Sequence, residues 1–390
     1  MGHLRRGAAS GKRSVMANKR LRFGIIGCGR ISKNHVEALA RNRETLELVA
    51  VCDVIEERAL GAARLYGEAL AAQERQAGEA AGFGGGFDKA GNGEIGAGFG
   101  GPPPVAVYGD YQKMLLEAGL DCAAICAESG YHARLALDCL DAGLHVLVEK
   151  PMALSLDDAD AMIGKAAAKG LKLGVCHQNR FNPAVAKLRR ALEEGRFGKL
   201  INGTARVLWA RDEAYYKQAA WRGTWKLDGG ALMNQCIHNI DLLQWMLGGE
   251  PQSVHGQTGR FIRDIEAEDF GAIVIRFKNG CIGVVEGSVC VYPRNLEETL
   301  SLFGETGTAV LGGLAVNEVK TWDFADHRDY DDEREDADIA NVYGKGHTPL
   351  YRDFAEAVLN GGKPYISGED GRVALDIILR VYAQEGHVCG

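Results

Sequence analysis

The strongest constraint on the fold is the junction at residues 21–32, Leu-Arg-Phe-Gly-Ile-Ile-Gly-Cys-Gly-Arg-Ile-Ser. An apolar run of single-strand length ends on a Gly-x-Gly turn and passes directly into an amphipathic helical pattern. Such a turn lets the backbone approach a pyrophosphate while the helix N-terminus supplies free N–H groups. A glycine turn occurs in many α/β proteins, so its meaning depends on the segments downstream of it. Apolar runs at 21–26, 47–52, 105–108, 122–126, 145–148 and 171–176 alternate with helical patterns at 31–42, 55–66, 111–118, 132–142 and 155–169. Non-alternating strands separated by helices predict a parallel sheet covered on both faces.

The second run ends at Asp53, 24 residues past Gly29. An acidic side chain there accepts hydrogen bonds from the adenosine ribose hydroxyls and repels a 2′-phosphate, which favours NAD over NADP. Residues 20–178 are therefore expected to form a Rossmann domain that binds NAD. Residues 68–104, rich in Gly and Ala and ending in three prolines, read as a flexible insertion. Residues 1–19 read as a disordered extension, with Met16 an alternative start.

From about 180 the pattern changes. Two strands meet at Asn279–Gly280, a hairpin signal, and "TLSLFGETGTAVLGG" repeats the form. The fold class expected is α/β: an N-terminal Rossmann domain, then a C-terminal α+β domain with a large open, mostly antiparallel sheet. That second domain, 179–390, is assigned to substrate binding and oligomerisation. A helix spans 231–247, and 323–339 reads as an exposed loop. Net charge is −7, so the basic surplus of a nucleic-acid binder is missing. No apolar run reaches membrane-spanning length. The ten cysteines are scattered without a CxxC pair and read as free thiols of a cytoplasmic protein.

Two further stretches carry chemistry. "HVLVEKPMAL" delivers Glu149, Lys150 and Pro151 to the carboxyl end of the sheet, where ligands collect in open α/β folds. "GGALMNQCIHNIDLL" puts Asn234 and His238 four apart on one helix face, with Asp241 placed either to orient His238 or to face the core. A surface lysine and a satisfied structural histidine are the plain alternatives.

Taken together, the GxG turn, the EKP triplet and the Gly-Gly then His-x-x-Asp-Leu helix resemble the glucose–fructose oxidoreductase/inositol dehydrogenase (Gfo/Idh/MocA) family over residues 20–385. Asn at 234, where inositol-dehydrogenase-like members carry Asp, resembles a narrower group, the UDP-N-acetylglucosaminuronate 3-dehydrogenases of bacterial surface-polysaccharide pathways. "EAYYKQAAWRGTWKLDGGALMNQ", "VYPRNLEETLSLFGETGTAVLGGLAVNEV" and "NVYGKGH" support that likeness. Glu128 departs from it, since relatives usually have Pro there.

The resemblance implies NAD-dependent oxidation of the 3-hydroxyl of UDP-2-acetamido-2-deoxy-glucuronate to a ketone, with no metal. The alternatives are UDP-N-acetylglucosamine, a free sugar or inositol as substrate, or a cofactor-sensing regulator without turnover. Cofactor contacts fall on Gly27, Gly29, Arg30, Ile31, Asp53, Ser129, His132, Glu149, Lys150 and Gln178. Catalysis falls on Lys150 and His238. His238, with an ordinary imidazole pKa, is expected as base and Lys150 as its positioning and proton-relay partner, though the two can exchange roles. Substrate contacts fall on Asn234, His238, Arg222, Tyr215, Tyr292, Arg294 and Tyr343. By analogy the assembly is a tetramer.

Overall fold

The computed structural model describes residues 20–80, 104–248, 250–333, 345–387 and 389. The expected extension at 1–19 and residue Tyr343 lie outside them. Six parallel strands form the first sheet: β1 (Leu21–Ile26), β2 (Leu46–Cys52), β3 (Ala106–Tyr108), β4 (Cys122–Ile125), β5 (His145–Val148) and β6 (Leu173–Val175). Their order is β3-β2-β1-β4-β5-β6. Order reverses between β1 and β4, and a crevice for a dinucleotide opens at that switch point. Connecting helices are α1 (Ser32–Arg41), α2 (Glu56–Ala80), α3 (Tyr111–Glu117), α4 (His132–Asp141) and α5 (Leu156–Lys169). Phe23, Ile25, Val51, Ala124 and Val146 are fully buried between the layers.

Helix α2 corrects one expectation. Residues 68–80, expected to belong to the flexible insertion, continue the helix. Their Ala, Glu, Gln and Arg are strong helix formers, and Tyr66 and Leu70 anchor the helix in the core. The remainder, 81–103, lies outside the described residues.

After α6 (Pro183–Glu193) the chain builds a seven-stranded sheet from β7 (Leu200–Leu208), β8 (Pro251–Gly259), β9 (Phe270–Phe277), β10 (Ile282–Ser288), β11 (Glu297–Gly304), β12 (Gly307–Gly312) and β13 (Glu318–Phe324). The order is β13-β12-β11-β7-β10-β9-β8; β7 and β10 run parallel and every other pair is antiparallel. Gly280, at φ +92°, makes the expected β9–β10 turn. The short α7 (Glu213–Lys217) comes after β7, and α8 (Ile237–Leu247) packs on the sheet. The expected exposed loop 323–339 begins instead as the last residues of β13 and a short turn at Asp329–Asp332, and its described part ends at 333.

Two last helices, α9 (His347–Asn360) and α10 (Gly368–Gln384), return to the first sheet. Tyr351 packs on Phe23 at a tilt and Phe354 meets it edge-on. Val175 N–H of β6 donates to Ile366 O at 3.1 Å, so the link between α9 and α10 covers that edge strand. All ten cysteines are free and nine are buried. No described helix is long and apolar enough to cross a membrane.

Candidate active site

The glycine turn is set by contact. Gly27 sits at φ +91°, and a Cβ there would lie 2.6 Å from Ala127 N. A side chain at Gly29 would meet nothing within 4 Å, which leaves open space before α1. Asp53 is buried, its oxygens accepting the N–H groups of Cys28 at 2.7 Å and Ile55 at 2.9 Å. Each carboxylate oxygen keeps a further lone pair free to accept another donor. Arg30 and Ile31 lead from the turn into α1; Arg30 is exposed and donates to Gln218.

At the end of β5, Glu149 is buried and accepts from His35 Nε2 at 2.9 Å, while His35 Nδ1 lies 2.8 Å from Tyr351 Oη. His347 Nε2, from the first residue of α9, lies 3.6 Å from the same Glu149 oxygen. Burial pushes the Glu149 carboxyl up, but the two imidazoles outweigh it and hold the carboxyl well below its ordinary value. Among the described residues these three are the ones whose ligand atoms gather closely enough for a metal ion, within 4.8 Å.

Lys150 comes next, its peptide bond to Pro151 cis. Its Nζ donates to the main-chain oxygen of Asn234 at 2.6 Å. That oxygen belongs to a wide π-type turn, Leu232–Cys236, which opens the α8 helix; such turns recur at functional sites. Along 231–240 only Asn234 and His238 are not buried, so both face the cleft beside Lys150. Burial lowers the Lys150 pKa. Loss of hydration holds the His238 imidazole well below its ordinary range, and the nearby Lys150 charge and His177 act in the same direction. The expectation of an ordinary His238 pKa is therefore corrected: the imidazole stays neutral. Asp241 does not orient it. Both Asp241 oxygens are held by Arg180, at 2.8 and 2.6 Å, with neither side chain exposed.

Beyond this group, arginines from both domains gather around one tyrosine of the second. The guanidinium carbons of Arg222, Arg211 and Arg30 lie 4.1, 5.2 and 5.8 Å from the Tyr215 ring centre. Arg222 bonds Tyr215 O and Gln218, and Arg211 bonds Ala210 O and Asn295. No carboxylate of the described residues forms an ion pair with any of the three, and the buried Arg222 Nε has no partner among them. Sequence reasoning missed Arg211, which belongs to no motif and is recognisable only once β7 ends beside Tyr215.

Other candidates fall elsewhere. Tyr292 is 92% exposed and Arg294 is also exposed, so the structure does not bring them to this cluster. Their neighbour Asn295 reaches it instead. His132 is buried with its ring nitrogens 2.7 Å from Pro151 O and 2.9 Å from Ala127 O, so it ties the β4 and β5 loops together and does not face the cleft. Ser129 and Gln178 are buried at the cleft wall, and Glu128 is half-buried. Gln178 Oε1, both His177 nitrogens and His238 Nδ1 are buried without a partner among the described residues. Buried polar atoms are normally satisfied, so this row fits a floor whose partners arrive with a polar ligand.

Comparison with known proteins identifies both domains. Residues 21–177 match the oxidoreductase family with an NAD-binding Rossmann fold, and residues 185–310 match the GFO/IDH/MocA C-terminal domain. The chain is similar to the WlbA dehydrogenase of Bordetella pertussis, solved with NADH and UDP-GlcNAcA: 33% identity, TM-score 0.79, covering 95% of this chain and 97% of that one. The WlbA dehydrogenase of Chromobacterium violaceum, solved with the same two ligands, is 32% identical, with TM-score 0.77 and coverage of 95% and 96%. Among curated relatives, myo-inositol 2-dehydrogenase of Thermotoga maritima is 26% identical over 371 residues, 91% of this chain and 93% of that protein.

Proposed function

Since the chain belongs to the Gfo/Idh/MocA family and is an NAD-dependent dehydrogenase of sugars or polyols, we propose that its substrate is UDP-2-acetamido-2-deoxy-glucuronate, oxidised at the 3-hydroxyl to the ketone. The observation that carries this reading is the set of arginines 30, 211 and 222 around Tyr215, without a carboxylate ion pair among the described residues and with Arg211 within electrostatic reach of Lys150. Uncompensated guanidinium groups converging on a cleft suit a multiply anionic ligand, and planar forks suit phosphate and carboxylate. A neutral polyol would leave them unmatched.

NAD, when bound, supplies the hydride acceptor. The turn at Gly27 and Gly29 holds its diphosphate, Asp53 its adenosine ribose, and Glu149, Lys150 and Gln178 line its nicotinamide end. Removing a hydride from the carbinol carbon requires loss of the hydroxyl proton, hence a base within hydrogen-bond reach. Burial makes the neutral amine of Lys150 accessible, whereas protonating His238 beside that amine is costly. We therefore assign Lys150 as the base and His238 as the neutral imidazole that orients the hydroxyl, the exchange of roles left open by the sequence. Asn234 positions a neighbouring polar group of the sugar.

A panel of UDP-sugars, free sugars and inositols, each with NAD and followed by NADH absorbance, tests the proposal. The uronate should exceed neutral UDP-N-acetylglucosamine by about 30- to 1000-fold in kcat/KM, because a desolvated cation loses its partner with the neutral sugar. Replacing Arg211 or Arg222 by Ala should shrink that ratio or weaken both sugars together; Arg294→Ala should do neither. Equal or better turnover of the neutral sugar, or of inositol, overturns the uronate assignment.

A further inference from the structure

One buried carboxyl in this region has no role in the chemistry assigned so far. Asp228 is 2% exposed, in the segment that joins the Arg222 loop to the helix carrying Asn234 and His238. Its Oδ2 accepts the N–H of Gly223, the residue next to Arg222, at 2.7 Å. Its Oδ1 accepts from Nδ2 of Asn234. Asn234 in turn holds Lys150 Nζ through its main-chain oxygen. A single carboxyl thus links the Arg222 loop to Asn234 and, through it, to Lys150.

The link has a directional consequence. An Asn amide has a donor end and an acceptor end. Because the carboxylate claims the amide nitrogen, the side-chain oxygen of Asn234 is left to the cleft. We infer that Asp228 is a positioning residue: it fixes the orientation of the Asn234 amide, so that an acceptor faces the substrate, and holds the Arg222 loop in register with Lys150. This rests on the reading of Lys150, Asn234 and His238 as the reacting group. It adds a specificity element, since the substrate group placed against Asn234 must be a donor, a hydroxyl or an amide N–H.

Substitutions at 228 and 234 separate positioning from mere structure. In Asp228→Asn the new amide can keep the Gly223 bond, but it then turns its NH2 toward the NH2 of Asn234, and one amide must flip. Asn234→Asp alone sets two carboxyls face to face. In the double variant Asp228→Asn/Asn234→Asp, the amide at 228 donates to a carboxylate at 234 and an acceptor faces the cleft again. Each single variant should lose roughly 10- to 100-fold in kcat/KM, the scale of one misdirected buried hydrogen bond. The double variant should recover at least about fivefold over Asp228→Asn, a coupling available only to groups in contact.

A pH profile adds an independent readout. Burial pushes the Asp228 carboxyl up to about 7, against the Gly223 and Asn234 bonds and the charges of Lys150 and Arg222. Glu268, Tyr216 and Cys389 also face it electrostatically. The acid limb of kcat/KM should therefore move in Asp228→Asn while NADH affinity stays within about twofold. The substrate used is whichever sugar the wild type oxidises, so failure of the UDP-uronate assignment leaves this test intact. Losses that simply add in the double variant, with an unmoved acid limb, overturn the inference.

Discussion

Lys150 and His238 stand within electrostatic reach of each other; loss of hydration lowers both pKa values, and the Lys150 charge makes protonation of His238 harder still. The same burial has unequal outcomes: it brings an amine down toward working pH and takes an imidazole out of it. If Lys150 is the base, turnover rises with pH through its lowered pKa, because only the neutral amine can take the proton. Lys150→Ala should then lose about 100- to 10,000-fold in kcat and show a flattened pH profile, with methylamine restoring part of the rate. His238→Asn should lose less and keep the wild-type limb. The reverse pattern, with the limb lost in His238→Asn, would return the base to the histidine. The two residues were legible in the sequence because local motifs carry them. Their charge states were not, since these depend on burial among His177, Glu149 and Arg211, drawn from separate segments.

The helix that carries Asn234 and His238 rests on carboxyls that the fold keeps away from water. Glu268 caps its first turn by accepting the Leu232 N–H at 2.8 Å, and Glu298 lies beneath it on β11. Burial pushes both up to about 8. A carboxyl whose folded pKa lies above its unfolded one binds more protons when folded, so its contribution falls as pH rises from about 4.5 to about 8. Glu298→Gln, which cannot ionise, should therefore melt at a temperature near that of the wild type at pH 5 and clearly above it at pH 9. The gap corresponds to a few kcal/mol in order of magnitude. A constant offset across that range would show that Glu298 does not titrate with folding. At this scale the glycine turn and the β9–β10 hairpin were legible, since each is a backbone demand met by adjacent residues. The length of α2 was not: its Gly and Ala content suggested disorder, while Tyr66 and Leu70, which find the core, decide the matter.

Across the whole molecule, long-range pairs join the parts. Arg180, just after β6, is buried over the Trp245 ring at 4.8 Å, holds Asp241 of α8 with two hydrogen bonds and reaches Asp370 of α10 at 3.2 Å. Nothing in the sequence marks it, because its partners lie 61 and 190 positions away. Arg180→Ala strands a buried carboxylate and should cost about 3–5 kcal/mol in urea unfolding, whereas Arg180→Met with Asp241→Leu should recover most of it. Equal losses in both variants would mean that packing over Trp245, not the ion pair, sets the cost. The return of α9 and α10 to the first sheet has one more consequence, which concerns synthesis. A ribosome that has released residues 21–177 has made all six parallel strands, yet β6 still lacks the cover that residues 366–367 give it and Glu149 still lacks His347. Until then the nascent chain carries an open strand edge, the kind of surface that pairs with other chains. The last helices to emerge close that edge and bring His347 to Glu149.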